Sequence, residues 1–144
     1  VCEAFARAAL ARVRAHGGLL VVNEDEALAR RIGADGVHLP ARRLMAVQAR
    51  PDFPWVGASC HDRAELERAA ALELDYALLG PVLPTLTHPG QAGIGWDGFA
   101  ATAAGLPLPV FALGGLAPDY MERARDAGAH GIAAIRGIWR SPRD

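Results

Sequence analysis

Two glycine-containing turns near the end of the chain could bind a phosphate group. Gly114-Gly115 follows the apolar run Val110–Leu113, and Gly137 follows residues 132–135. Glycines at the end of a buried strand let backbone N–H groups approach an anion, and the positive end of a following helix strengthens the attraction. In α/β barrels, the phosphate of a substrate is often bound after the last two strands. The same glycines could serve only to relieve crowding, so these residues leave both interpretations open.

Histidine and cysteine are the other side chains that could carry chemistry. His38 lies within an apolar run, where a core histidine with satisfied hydrogen bonds is expected, and His61 directly precedes a helix N-cap. No spacing of histidine, cysteine and carboxylate residues indicates a structural metal site. Cys2 and Cys60 are too few for a disulfide framework and fit a reducing cytoplasm. All 15 basic residues are arginine, which excludes a lysine Schiff base within this chain.

Length and composition indicate one globular domain over residues 1–144. Apolar residues make up 51% of the chain, which is enough to build a core, and the formal net charge is −1. No block of basic residues interleaves with aromatic ones, so nucleic acid is not expected as a partner. No apolar run approaches the ~20 residues that span a bilayer, and no signal peptide is visible. We therefore expect a cytoplasmic protein that does not enter a membrane.

Apolar periodicity predicts six helix–strand units in succession. Helices are expected over residues 3–15, 25–32, 42–49, 63–73, 96–104 and 118–127, and strands over residues 19–22, 37–39, 56–59, 76–79, 110–113 and 132–135. Three helix exits, at residues 32–37, 72–77 and 127–132, resemble one another, which is typical of one repeated unit. The strands are apolar throughout, as in a parallel sheet covered by helices. Six such strands fit either an open doubly wound sheet or three quarters of an eight-stranded barrel.

Four motifs, in this order, resemble thiamine-phosphate synthase and its TenI-type relatives. They are Gly33-Ala-Asp-Gly-Val-His-Leu39, Val56-Gly-Ala-Ser-Cys-His61, Gly80-Pro-Val-Leu-Pro-Thr-Leu-Thr87 and Ala112-Leu-Gly-Gly-Leu116. The resemblance implies a TIM (β/α)8 barrel, incomplete here, with about six units present and the first two strands missing. Thr87-His-Pro-Gly90 and Gly95-Trp96 are similar to the TenI-like domain at the C-terminus of some bacterial Nudix (MutT-type) hydrolases. We therefore expect an N-terminally truncated fragment, with a fused Nudix domain as one candidate partner.

The resemblance implies a site for the phosphate of a thiazole or of thiamine. The residues at matching ligand-binding positions are Asn23, Ser59, Thr85, Thr87, Gly114, Gly115, Ile135 and Arg136, and Arg136 stands where the synthase has serine. His88 replaces the lysine that normally follows the two threonines. It could act as a proton shuttle in a TenI-type tautomerase, because imidazole titrates near neutral pH. The alternative is a solvated loop histidine.

The resemblance also implies a weakened site for Mg²⁺ and pyrophosphate. The family's first magnesium-binding Asp is Glu24 here, and a glutamate could still ligate Mg²⁺ through its oxygens. The second magnesium carboxylate is replaced by Arg43, which cannot bind a cation. The family's Gln-x-Arg-x-Lys pyrophosphate motif lies on a strand that we expect to be missing. Synthase chemistry is therefore expected to be impaired, while the thiazole-phosphate half of the site looks retained.

These expectations leave three functions open. The chain could be an enzyme of thiazole or thiamine phosphate metabolism, a non-catalytic binding module for a fused Nudix hydrolase, or a structural support for that hydrolase. Arg43, together with Pro81 at the position of the tautomerase histidine, favours the second function. The retained Ser59 and Thr85 favour the first two over the third. An incomplete barrel would also leave two apolar strand edges, so residues 1–144 alone are expected to form homo-oligomers or aggregates.

Overall fold

Helices and strands alternate strictly along the part of the chain that the structure describes. The structure is a computed structural model, and it describes residues 2–85, 90, 92–135 and 138. The helices are α1 (Glu3–Ala15), α2 (Glu26–Ile32), α3 (Ala41–Ala46), α4 (Arg63–Ala71), α5 (Gly95–Ala103) and α6 (Met121–Asp126). The strands are β1 (Val21–Asn23), β2 (Gly36–Leu39), β3 (Trp55–Cys60), β4 (Tyr76–Leu79), β5 (Val110–Leu113) and β6 (Gly131–Ala133). Each of these strands follows a helix, as the periodicity predicts.

All six strands form one parallel sheet in the order β1-β2-β3-β4-β5-β6. This sequential order is the order of a barrel, whereas a doubly wound sheet reverses direction at a switch point. The prediction of a barrel-type fold is therefore confirmed. Within the described residues, β1 pairs only with β2 and β6 pairs only with β5, so the sheet is not closed.

Some element ends differ from those predicted. β1 begins at Val21 instead of residue 19, and β6 ends at Ala133, so Ile135 lies beyond it. α3 stops at Ala46 because Val47 adopts an extended conformation with ψ of 141°. The last predicted helix begins as a 3₁₀ turn over Pro118–Tyr120 before α6. None of the helices in the described part of the chain combines the length and the apolar character needed to cross a lipid bilayer.

The two faces of the sheet have different surroundings, because alternate residues of a strand point to opposite faces. One face packs under the helices, and the strand residues Val37, Leu39, Val56, Ala58, Ala77, Leu79 and Ala112 are each 0% exposed. The opposite face, called the open face below, carries His38, Ser59, Tyr76, Leu78 and Phe111, and all five are partly exposed. In a closed barrel this face lines the interior. Polar side chains of the strands are therefore concentrated on the face that helices leave uncovered.

The three similar helix exits make the same backbone contact. The N–H groups of Asp35, Asp75 and His130 donate to the carbonyl oxygens of Leu20, Val56 and Val110, at 3.0, 2.8 and 2.9 Å. Each contact joins the residue before one strand to the start of the preceding strand. The sequence similarity of these exits thus corresponds to one repeated structural unit.

Candidate functional site

Three of the predicted site residues, Ser59, Gly114 and Gly115, lie at the carboxyl edge of the sheet, where the parallel strands all end. Ser59 lies near the end of β3, the loop after β4 begins at Gly80, and Gly114-Gly115 directly follows β5. The start of this loop is hydrogen-bonded to the end of β5. The Val82 N–H donates to Leu113 O at 2.8 Å, and the Leu83 N–H donates to Gly114 O at 3.2 Å. These backbone hydrogen bonds hold the start of the loop against the glycine turn at the carboxyl edge of the sheet.

Backbone conformation and close packing both require glycine at positions 114 and 115. Their φ angles are +105° and +67°, a region that residues with a side chain rarely adopt. A β-carbon at Gly114 would lie 2.6 Å from Pro81 Cα, and one at Gly115 would lie 2.7 Å from Pro84 O. The crowding interpretation therefore applies to this turn. Binding of a phosphate by the same turn remains a prediction.

His38, Ser59 and Tyr76 form a hydrogen-bonded cluster on the open face. The His38 Nδ1 atom lies 3.0 Å from Tyr76 Oη, and His38 Nε2 lies 2.8 Å from Ser59 Oγ. Burial lowers the pKa of His38 to about 4, so its imidazole is neutral at pH 7. Burial, with a smaller contribution from the charge of Asp75, raises the pKa of Tyr76 to about 12. The cluster is therefore uncharged and connected by hydrogen bonds at neutral pH.

The position of Tyr76 depends on the absence of a side chain at Gly57. The sheet register pairs Gly57 with His38 on one side and with Tyr76 on the other. A β-carbon at Gly57 would lie 2.0 Å from the ring of Tyr76, so only glycine leaves room for the phenol. Phe111 packs edge-on against the same ring, with centroids 6.3 Å apart. Backbone and packing therefore hold the phenol beside His38.

Ser59 is a predicted ligand-binding residue that the structure places in this cluster, whereas the sequence did not single out Tyr76. His38 was expected to be a core histidine with satisfied hydrogen bonds, and the structure gives it two partners on the open face. The signal available in the sequence was the presence of a histidine and a tyrosine in strands that are otherwise apolar. Their pairing depends on sheet register, since Tyr76 is 38 residues after His38.

Glu24 and Arg43, which stand at the positions of the family's two magnesium-binding carboxylates, both form ion pairs. The guanidinium of Arg42 contacts both carboxylate oxygens of Glu24, and Arg43 lies 3.7 Å from Glu26. Glu24 itself has φ of +65°, and its N–H donates to His38 O at 2.8 Å. Within the described residues, no group of three histidine, cysteine or acidic side chains could hold a metal ion. A cation at Glu24 would compete with Arg42 for the carboxylate, and a weakened Mg²⁺ site at this position stays a prediction.

The other predicted residues are more widely spread. Asn23 is exposed at the end of β1, beside His38 in the register. Thr85 is partly buried in the loop after β4, and Ile135 is 68% exposed beyond β6. Thr87, His88 and Arg136 lie outside the described residues, so their roles stay predictions.

The chain is similar to thiamine-phosphate synthases over most of its length. A family model described as thiamine monophosphate synthase matches residues 2–138. The chain is 44% identical over 135 residues to the thiamine-phosphate synthase of Chromobacterium violaceum, covering 88% of this chain and 62% of that protein. It is 36% identical over 144 residues to the thiamine-phosphate synthase of Thioalkalivibrio sulfidiphilus, covering 97% and 68%. The chain thus spans 62% and 68% of the length of these two relatives.

Solved structures resemble the fold. A crystal structure of thiamine phosphate pyrophosphorylase from Bacteroides thetaiotaomicron aligns with a TM-score of 0.56 and 20% identity, covering 96% of this chain and 60% of that chain. The native KDPGal structure aligns with a TM-score of 0.64 and 22% identity, covering 92% and 65%. At these identities the likeness concerns the fold alone, and it agrees with the sequential strand order of a barrel.

Proposed function

Because the chain belongs to the thiamine monophosphate synthase family, we propose that it binds thiazole phosphate or thiamine phosphate at the carboxyl edge of its sheet. The observation that carries this proposal is the meeting of Ser59, the start of the loop after β4 and the Gly114-Gly115 turn at that edge. Hydroxyl groups and backbone N–H groups are the donors that recognise phosphate oxygens. Thr85 belongs to the same loop, and Thr87 and Arg136 contribute to the proposal through the sequence alone.

The proposal includes impaired synthase chemistry and a site that does not use Mg²⁺. Its support is the ion pair of Glu24 with Arg42, together with an arginine at position 43. A carboxylate held by a guanidinium is not free to ligate a cation, and a guanidinium repels one. Joining the two halves of thiamine phosphate requires loss of pyrophosphate, whose charge must be neutralised. This chain offers no acidic cluster for that purpose in its described part.

Calorimetry with the full chain tests the ligand. Thiamine phosphate should bind at roughly micromolar Kd, about 8 kcal/mol, and thiamine without the phosphate should bind more weakly. Thr85→Val should weaken thiamine phosphate binding, whereas Thr102→Val, on α5, is the matched control and should leave it unchanged. Equal affinity for thiamine and thiamine phosphate would contradict a phosphate site.

Two further measurements test whether Mg²⁺ binding and synthase activity are absent or weak. Titration with Mn²⁺ as a Mg²⁺ analogue, followed by electron paramagnetic resonance, should show no specific binding to the protein. A coupled assay with both synthase substrates and Mg²⁺ should give absent or very slow turnover. Turnover in the ordinary enzymatic range, about 1–10³ s⁻¹, would refute the claim of impaired synthesis.

A non-catalytic binding module is the second candidate function, and the Glu24–Arg42 pair favours it. Such a module could serve a fused Nudix hydrolase, as the resemblance implies. Binding of thiamine phosphate without synthase or tautomerase turnover would support this function. Tautomerisation of thiazole phosphate that is abolished by His88→Asn would instead support an enzyme.

A further inference from the structure

The two hydrogen bonds that join Tyr76, His38 and Ser59 on the open face can run in either of two directions. A neutral imidazole has one N–H donor and one acceptor nitrogen, so His38 must donate to one partner and accept from the other. In one arrangement, Tyr76 O–H donates to Nδ1 and Nε2–H donates to Ser59 Oγ. In the reverse arrangement, Ser59 O–H donates to Nε2 and Nδ1–H donates to Tyr76 Oη. The two distances of 3.0 and 2.8 Å allow both.

Chemistry selects the first arrangement. A phenol is a stronger hydrogen-bond donor than an aliphatic hydroxyl, because its proton is more acidic, and it is a weaker acceptor. The ring of Tyr76 is fixed by its fit against Gly57 and its edge contact with Phe111, so the phenol oxygen stays beside Nδ1. With Tyr76 as the donor, the proton of His38 is on Nε2. Ser59 then accepts from His38 and keeps its own proton for another partner.

We propose that Tyr76 and His38 form a relay that orients the Ser59 hydroxyl, so that Ser59 donates its proton to an acceptor atom of the ligand at the carboxyl edge. Tyr76 and His38 are positioning residues in this relay, and Ser59 is the group that contacts the ligand. Ser59 lies near the carboxyl end of β3, at the edge where the loop after β4 also begins. The identity of the acceptor atom rests on the proposed function, whereas the direction of the relay does not.

The relay also explains why a histidine at this depth need not be a general base. With its pKa near 4, the imidazole of His38 does not take up a proton at pH 7. A charged imidazole would donate from both nitrogens and would force Tyr76 to accept. Burial therefore keeps the imidazole neutral, and only a neutral imidazole has an unprotonated Nδ1 that can accept the hydrogen bond from Tyr76.

Nitrogen NMR of histidine-labelled full chain tests the direction without any ligand. His38 should be the Nε2–H tautomer, with an unprotonated Nδ1, and its signals are assigned by their loss in His38→Gln. Tyr76→Phe keeps the ring that packs on Gly57 and Phe111 but removes the donor, so the tautomer population of His38 should shift. Tyr120→Phe, at an exposed tyrosine, is the matched control and should leave the His38 signals unchanged. A parent protein with a protonated Nδ1 would overturn the relay.

A double-mutant cycle tests whether Tyr76 acts through Ser59. Tyr76→Phe and Ser59→Ala should each weaken thiamine phosphate binding, by about three- to tenfold. In the Ser59→Ala background, Tyr76→Phe should have no further effect, because the relay has nothing left to orient. Additive losses would overturn the relay. If the parent protein binds neither thiazole phosphate nor thiamine phosphate, the proposed function is refuted. The NMR measurement of the His38 tautomer would still decide the direction of the hydrogen bonds.

Discussion

Asp35 and Asp75 occupy equivalent positions in two helix–strand units and make the same side-chain contact. The carboxylate of Asp35 accepts the N–H of Leu20 at 2.8 Å, and that of Asp75 accepts the N–H of Val56 at 2.6 Å. Each also pairs with an arginine, Arg14 at 2.9 Å and Arg50 at 2.8 Å. Each aspartate precedes one strand and binds the start of the preceding strand. Both therefore stabilise the fold and are not candidate catalytic residues.

We expect Asp75→Ala to destabilise the protein by about 2 kcal/mol, because the fully buried Val56 would be left with an unsatisfied N–H group. Arg50 would lose its carboxylate partner at the same time. Urea unfolding measures the change, and Asp52→Ala, at an exposed loop position, should stay within about 0.5 kcal/mol of the parent. Equal stabilities of the two variants would show that the contact contributes nothing.

Gly115→Ala should cost more stability than Gly105→Ala, although both residues have a left-handed φ, +67° and +71°. A β-carbon at Gly105 would meet only open space, so alanine there adds only backbone strain of about 1 kcal/mol. A β-carbon at Gly115 would in addition clash with Pro84 O and contact Leu83. The loss of stability should therefore rise to about 2–4 kcal/mol. Thermal or urea unfolding of both variants gives the comparison.

The stability of the protein should fall as the pH is lowered from 6.5 towards 4. In this window an unfolded His38 takes up a proton, whereas the folded residue, with its pKa near 4, does not. The contribution of His38 is thus complete above pH 6.5 and declines below it. The loss should reach about 2–3 kcal/mol at the lower end of the window.

The measurement for this prediction is urea unfolding of the parent and of His38→Gln at pH 7 and pH 4.5. Asp35 and Glu3, whose pKa values are lowered by their hydrogen bonds, titrate in both proteins, so the difference between parent and variant isolates His38. An identical pH dependence in the two proteins would mean that the folded imidazole is not protected from protonation.

Residues 1–144 alone should self-associate through the two outer strands of the sheet. Within the described residues, the outer edges of β1 and β6 lack a paired strand, and both strands are free of charged residues. Such edges pair readily with other chains. Size-exclusion chromatography with light scattering should find oligomers or aggregates, and Ala133→Lys on β6 should reduce them. Met45→Lys, at an exposed position on α3, is the control. A monodisperse monomer with a sharp thermal transition would show that the open sheet is self-sufficient.

The sequence by itself determined the order of the elements and much of their boundaries. The predicted bounds of α1, β4 and β5 agree with the structure, and Asp62 caps α4 by accepting the N–H of Glu65 at 2.9 Å. These features are encoded within a few neighbouring residues: apolar periodicity, a capping side chain and glycine at an exit. The motifs that resemble the family also lie in short stretches, and the match over residues 2–138 agrees with them.

Only the tertiary structure decided which side chains meet. The sequential strand order selected the barrel type over the doubly wound sheet, which periodicity left open. The register placed Tyr76 beside His38, across Gly57, and the end of β3 brought in Ser59. Glu24 was available as a metal ligand in the sequence, but folding pairs it with Arg42, 18 residues later. Local patterns cannot specify such pairs, because each depends on how strands align and on which face their side chains emerge.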